Sequence, residues 1–421
     1  PIRTPEGQKH FRPSLGLRAA DNASEISAKV AHGLAVGDTS DLKDYGTSEL
    51  PRWDYAALGH FCRELAELGA KNDAAKTKAI EVLTFLNDRR LATGAKKRSS
   101  TLHIIRENLT ALFKTAPKIN TNGSSIYRRI DWSTRDALRP PQEPEKILVV
   151  NAREFPPEGA ACDARLICAA YKMGWRQFLC YGYKGQRFTG CGLLNNTDGV
   201  RIDVYDSSGD YLASGIDGLE IHVHGNAQDQ LGQIMKSGKL VVYGDVGQTF
   251  MYAAKGGEVY VLGNTAGRPL INAVGKPHVV INGTCLDYLA ESFMAGDPFN
   301  GGGFVVLNGL AFDDKCEIVE LDTPYPGGNL FSLASGGAIY VRDPHSKVGA
   351  DQLNGGEFTP MTPQDWQLIE PYLSENERHF GITVNQLLTV NGELLQPAEV
   401  YRKIRPRALR ALQAEEAWVT E

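Results

Sequence analysis

Five short stretches of the chain share one order of positions: aliphatic, any residue, aliphatic, any residue, glycine. They are Ile221-His222-Val223-His224-Gly225, Leu240-Val241-Val242-Tyr243-Gly244, Val259-Tyr260-Val261-Leu262-Gly263, Val279-Val280-Ile281-Asn282-Gly283 and Val305-Val306-Leu307-Asn308-Gly309. The closing glycines lie 19, 19, 20 and 26 residues apart, a period at which each unit is one layer of a stacked repeat. Alternation along a strand sends Ile221, Val223 and their counterparts to one face, read here as the interior. The residues between them, such as His222, Tyr260 and Asn308, are mixed, as on a surface that meets solvent or a partner. A second glycine follows 13 residues after the first in three units, at Gly238, Gly257 and Gly296, and Gly275 sits beside that place in another. Glycine at both bends is expected to supply positive φ. Two buried aliphatic side chains, at roughly 1.5–3 kcal/mol each, offset only part of the cost of ordering a whole unit. The other side of each unit must therefore add core: Leu231, Ile234 and Met235, then Phe250 and Met251, then Leu270 and Ile271, then Leu289, Phe293 and Met294. The pattern predicts a mainly β fold, a right-handed parallel β-helix with Gly225, Gly238, Gly244, Gly257, Gly263, Gly283, Gly296 and Gly309 as structural glycines.

Outside the repeats the periodicity changes. Residues 1–50 are polar and read as an extended arm. In 51–144, apolar positions recur at helical spacing (Leu58, Phe61, Cys62, Leu65, Leu68; Ile80, Leu83, Leu86; Leu102, Ile105, Leu109, Leu112) and predict a small helical domain. The prolines at 140, 141 and 144 mark a linker, followed by a β-α-β unit from Ile147 to Tyr181 that would cap the first layer of a 145–345 repeat domain. One more layer is expected at Gly336-Gly337-Ala338-Ile339-Tyr340-Val341. In the tail, 346–421, Thr362 as N-cap with Pro363 in the first turn starts a helix, so the tail reads as a helical cap or docking element.

The formal charge of −5 over 421 residues argues against nucleic acid or an anionic membrane as the main partner, and Lys96-Lys97-Arg98 reads as a solvated loop. No run approaches a membrane span. Pro1-Ile2-Arg3 is neither a signal peptide nor an initiator methionine, which suggests processing or an omitted N-terminal segment. Seven cysteines without a CxxC pair read as reduced cytoplasmic thiols, with convergence of Cys162, Cys168, Cys180 and Cys191 left open.

Three local features resemble the C-terminal glycine-repeat (GXGXG) domain of the glutamate synthase large subunit, over about residues 145–345. They are Gly185-Gln186-Arg187-Phe188 leading to Gly190-Cys191-Gly192-Leu193, then Gly225-Asn226-Ala227-Gln228-Asp229, and Met294-Ala295-Gly296 followed by Gly301-Gly302-Gly303. In that family the domain aligns the amidotransferase and synthase domains and carries no catalytic residue or cofactor. The repeat also resembles a subunit of formylmethanofuran dehydrogenase, again in a supporting role. The resemblance implies a stand-alone docking subunit of a cytoplasmic hetero-oligomeric oxidoreductase, possible types including an electron-bifurcating NAD(P)H transhydrogenase. FMN or FAD and iron–sulfur clusters would sit on partner subunits, with no cofactor or metal on this chain. Residues 1–144 and 346–421 have no counterpart in that resemblance, and the reaction of the complex, the role of residues 1–144 and the stoichiometry stay open.

Each candidate for chemistry also has a simpler reading. His222 and His224 have the spacing of a metal pair, but the aligned Val241 and Tyr243 offer no third ligand, so surface or partner-facing histidines are expected. Asp206, Asp210 and Asp217 are where a carbohydrate-active β-helix enzyme, the alternative function, would carry its acids. Gly301-Gly302-Gly303 and Gly327-Gly328 lack the Lys-Ser/Thr of a phosphate loop, and Cys285 reads as a buried thiol. No catalytic residue is nominated.

Overall fold

The computed structural model describes residues 22–407 apart from 37 and 314. The chain divides into two compact units: one of residues 1–155, 169–183 and 312–319, the other of residues 156–168, 184–311 and 320–421. Of the segment read as an extended arm, residues 1–21 lie outside the described residues, and the rest holds α1 (Ala23–Ala35) and α2 (Ser40–Glu49).

The first unit continues with α3 (Tyr55–Gly69), α4 (Asp73–Asp88) and α5 (Arg98–Lys114). Asp54 and Asn72 start α3 and α4 by accepting from the backbone N–H groups of Ala57 at 2.8 Å and Ala75 at 2.9 Å, which satisfies donors that a helix start leaves open. The apolar stripe read from the sequence faces inward, with Leu58, Phe61, Leu65, Leu83 and Ile105 all 0% exposed. Phe61 packs against Trp53, ring centroids 4.9 Å apart. Lys96, expected in a solvated loop, is instead 6% exposed. Its ammonium donates to the carbonyls of Leu50, at 2.6 Å, and Trp53, in the connection between α2 and α3, and burial pulls its pKa down. Next come the parallel strands β1 (Tyr127–Ile130), β2 (Ile147–Asn151) and β3 (Gln177–Tyr181); between the last two in sequence is α6 (Asp163–Lys172), whose residues up to 168 count with the second unit.

In the second unit β4 (Arg201–Tyr205), β5 (Asp217–His224), β6 (Ser237–Val242), β7 (Gly256–Val261), β8 (Lys276–Ile281) and β9 (Phe304–Leu307) pair in parallel, each with the next. A separate two-stranded sheet of β10 (Leu310–Phe312) and β11 (Ile318–Glu320), of which residues 312–319 belong to the first unit, precedes β12 (Ala338–Arg342), which pairs in parallel with β9. Then follow β13 (Gly356–Thr359), α7 (Pro363–Phe380), α8 (Val384–Leu388), the pair β14 (Thr389–Val390) and β15 (Glu393–Leu394), α9 (Pro397–Val400) and β16 (Tyr401–Pro406). β16 runs antiparallel between β12 and β13. α7 starts where the Thr-Pro signal predicts, with the Thr362 hydroxyl accepting from the N–H of Asp365 at 3.2 Å.

The register aligns Ile202, Ile221, Leu240, Val259, Val279, Val305 and Ile339 in one column, all 0% exposed. The column between the two inward ones, expected at a surface, is also buried: His222 is 4% exposed, Tyr260 1%, Val241, Val280, Val306 and Tyr340 0%. The reason is α7, which lies across that face. Strands buried on both faces are the mark of a parallel sheet covered by helices. The expected mainly β, right-handed parallel β-helix is thereby corrected: the strands form one 12-stranded, mostly parallel sheet, with 31% of residues helical against 22% in strands, an α/β arrangement. Two expected core residues also point outward, Ile234 at 41% and Met294 at 49% exposure.

Between strands each repeat makes a turn that its composition does not announce. Gln230, Gly232 and Ile234 have positive φ, as do Thr249, Met251 and Ala253, then Arg268, Leu270 and Asn272, then Tyr288, Ala290 and Ser292. Outer members donate forward, Thr249 N to Gly267 O at 3.0 Å, and middle members donate back, Met251 N to Leu231 O at 2.7 Å. Left-handed backbone costs roughly 1 kcal/mol or more at such residues, and the hydrogen bonds between repeats are what hold it. No helix among the described residues is long and apolar enough to cross a membrane.

Candidate functional site

The sheet face under α7 concentrates the second unit's buried titratable side chains. Arg201 forks onto Asp203 at 2.9 and 2.8 Å, and Nε2 of His224 meets the same carboxylate at 3.1 Å. On the same strand as His224, β5, Nε2 of His222 meets Glu220 at 2.5 Å and its Nδ1 lies 3.3 Å from the Tyr243 hydroxyl. A carboxylate only accepts, so both histidines carry their proton on Nε2. The His224 ring is stacked between Tyr205 and Tyr243, at 4.3 and 5.2 Å. His379, from the end of α7, closes over His222 at 5.5 Å between ring centroids.

Burial and hydrogen bonds set the charges in opposite directions. Burial pulls the His222 pKa down against the pull of Glu220. Burial and the neighbouring His222 lower His379 to about 4. The His222 hydrogen bond lowers Glu220 to about 2. Burial alone would raise Asp203, but hydrogen bonds from His224 and Arg201 hold it well below the usual carboxylate range. Here the carboxylates are charged, and His222 and His379 are neutral near pH 7.

Along the helix the same pattern of engagement recurs. Glu375 takes Lys239 at 2.5 Å, the Tyr372 hydroxyl pairs with Nδ1 of His278 at 2.8 Å, and Asp365 accepts from Tyr340 at 2.7 Å and Lys403 at 2.6 Å. At the centre Asn282 and Asn376 exchange amide hydrogen bonds at 2.8 and 3.0 Å, Asn308 donates to Asn282 at 3.0 Å, and Tyr401 donates to Asn308 at 2.9 Å. All three asparagines are 0% exposed. Unmaking one bond would strand a buried polar group at about 1–3 kcal/mol. The chemistry of this face is attachment: it fixes α7 to the strands in one register.

The histidines expected at a surface are thus buried, because the tail covers them. Their neighbours are two tyrosines, a third histidine and one carboxylate each, and among the described residues no group of three or more His, Cys, Asp or Glu could hold a metal ion. Asp210 pairs with Arg187 at 2.9 Å, Asp217 accepts from Ser237 at 2.7 Å, and Asp206 is at positive φ in the turn after β4; Asp210 and Asp217 are engaged with different partners. Cys168 donates to the carbonyl of Cys191 at 3.0 Å, and Cys191 to that of Tyr211 at 3.1 Å. Cys191 also feels Cys162, while burial pushes its own thiol up to about 12. Cys285 is 0% exposed and burial likewise raises its pKa. Gly301 takes positive φ at the end of a short helical turn, and Gly328 donates to Asp287 at 2.7 Å.

The structural glycines divide into two kinds. Gly238, Gly257, Gly296 and Gly309 have positive φ. The other closing glycines do not, and proximity explains them: a Cβ on Gly244 would meet Asn226 Oδ1 at 2.1 Å and the carbonyl oxygen of Gly225 at 2.7 Å, and one on Gly263 would meet Asp245 Oδ1 at 2.2 Å. The residue after Gly225, Gly244 and Gly263 makes that proximity useful. Asn226 accepts from Asp245 N at 3.0 Å, Asp245 from Asn264 N at 2.8 Å, and Asn264 from Thr284 N at 2.9 Å. The Gly-Asn, Gly-Asp, Gly-Asn succession was the available signal for this ladder.

Parallel strands closed by glycine, tied by an Asx ladder and covered by their own helix define a glycine-repeat domain. Residues 182–395, just over half of the 421, match the GXGXG motif family. The chain belongs to that family, the type found at the C-terminal end of the glutamate synthase large subunit. No curated protein matches the chain.

Proposed function

We propose that this chain is a docking subunit of a cytoplasmic, multi-subunit glutamate-synthase-like oxidoreductase, whose flavin and iron–sulfur clusters are carried by partner subunits. The observation that carries the reading is how the GXGXG region spends its polar residues. Asp203 and Glu220 are bound to bases within the sheet, Glu375 and Asp365 of α7 to Lys239 and Lys403, and the buried asparagines to one another, so that this face fixes α7 onto the parallel strands. A rigid body of this kind suits holding other subunits at set distances, and the association of GXGXG domains with glutamate synthase-like proteins suggests which subunits.

The test is native purification of the tagged full chain from its own cells, with iron and flavin quantified on the whole eluate and on the chain separated from it. Cofactors should travel with co-purifying subunits and stay with them on separation. Stoichiometric flavin or iron on the separated chain, or a chain that purifies alone, overturns the proposal. With partners attached, NAD(P)H-dependent dye reduction by the eluate would connect the complex to the transhydrogenase type.

A further inference from the structure

At the β16 end of the second unit, segments Ser292–Gly296 and Ser332–Gly337 run side by side, joined by Ser292 N to Ser332 O at 2.7 Å and Ser335 N to Phe293 O at 2.9 Å. Beside them lies a cleft of about 720 Å³, in the range of a binding site. Gly336 and Gly337 line it together with Phe299, Lys403, Arg405 and Arg407. Phe299 is 37% exposed, and the neighbouring Met294 and Leu333 are 49% and 76% exposed.

The charge balance of the lining is positive. Its carboxylate, Asp297, is occupied by Phe299 N at 3.1 Å and the Asn300 side chain at 2.7 Å. Lys403 is matched by Asp365 at 2.6 Å. Arg405 meets Glu357 at 2.8 Å, but with its own side chain 59% exposed that pair is worth little in water. Among the described residues Arg407 has no ion-pair partner, although it lines the cleft. Arginine beside exposed aromatic and aliphatic side chains is the composition of interface hot spots. A small ligand would be enclosed by apolar side chains, whereas here the most exposed ones, Met294 and Leu333, are outside the lining. An occupant that uses both must extend from the cleft onto the surface.

We propose that this cleft takes an extended acidic segment of a partner protein, its carboxylates on Arg405 and Arg407 and its apolar side chains on Phe299, Met294 and Leu333. The proposal rests on the docking-subunit reading and names where one partner is held. Its test is fluorescence anisotropy with the full chain and a short labelled peptide of alternating glutamate and leucine, against the same peptide with lysine for glutamate. Expected are a Kd of order 10 μM, about tenfold weaker binding in Arg405→Gln/Arg407→Gln and about fivefold in Leu333→Asp, and no binding of the lysine peptide. Leu333 has φ 53°, a conformation Asp tolerates better than Leu, and unchanged melting would verify that each variant folds. Equal binding of both peptides, no loss in the variants, or complete displacement by millimolar inorganic phosphate or free glutamate overturns the proposal. In native purification, partners that stay bound to a variant combining Arg405→Gln, Arg407→Gln and Leu333→Asp as tightly as to wild type overturn this cleft and leave the docking reading standing; a wild-type chain that purifies alone overturns the docking reading itself.

Discussion

The helices α3 to α5 and the repeats from β4 to β9 are ordered by different means, and the value of a single methyl group shows the difference. In the helices order is local. Asp54 and Asn72 cap, and Leu58, Phe61 and Leu65 are spaced to fill one core. In the repeats order passes from one layer to the next through main chain brought too close for any Cβ. Side-chain volume stabilises the first region, and the proximity of backbones stabilises the second.

The largest effect expected from this contrast is Gly244→Ala. Its Cβ would fall 2.1 Å from Asn226 Oδ1 and 2.7 Å from the Gly225 carbonyl oxygen, and the backbone there is held by hydrogen bonds on both sides. We expect a loss of about 3 kcal/mol, read from the urea midpoint. Adding Asn226→Ala should recover only part, because the Gly225 carbonyl stays in place. In α2, by contrast, a Cβ on Gly46 would meet Leu86 Cδ2 at 3.3 Å, the end of a side chain that can yield, and Ala there should gain up to about 1 kcal/mol of helix propensity. Equal losses at both sites would break the comparison.

Legibility in the sequence follows the same division. The repeat period, the inward columns from Ile221 to Leu307, the three helices of residues 51–144 and the start of α7 at Thr362-Pro363 were all legible, because spacing and capping are local signals. What was missed depends on contacts distant in sequence. Nothing near His222 says that His379 will cover it, and so a sheet buried on both faces was read as a parallel β-helix with one face outward. Nor does Met251 or Leu270 advertise a left-handed backbone, which composition assigns to glycine or asparagine. Hydrogen bonds from adjacent repeats impose it.

A second test is acid. Above pH 6.5 the imidazole of His379 is neutral folded or unfolded; as pH falls from 6.5 toward its folded value of about 4, the unfolded chain takes up a proton that the folded chain refuses, and stability drops. The groups facing it are Glu375 and Arg378 on its own helix and His222, Glu220, Lys239 and Tyr260 from the sheet. About 2 kcal/mol should be lost by pH 4.5, measured as hydrogen exchange of α7 amides, with α4 amides little changed over the same window. His379→Gln should flatten the α7 response; a slope that survives it would place the titration elsewhere. Glu220, lowered to about 2, adds its own loss only below about pH 4.5, as its carboxylate is protonated.

The smallest effect inverts the first. Thr249 is β-branched and at φ 53°, where its side chain crowds the backbone. Its N–H bond to Gly267 O at 3.0 Å needs no side chain, so Thr249→Gly should relieve the strain, keep the bond and stabilise the repeats by up to about 1 kcal/mol. Glu67 is exposed within α3, where right-handed backbone suits most side chains, and Glu67→Gly should cost about 0.5–1 kcal/mol through the freedom that glycine gains in the unfolded chain. Opposite signs for one replacement, read from paired denaturation midpoints, would locate the strain in the turns of the repeats. A loss at both sites would mean that the neighbouring repeats supply more through the Thr249 side chain than its left-handed backbone costs.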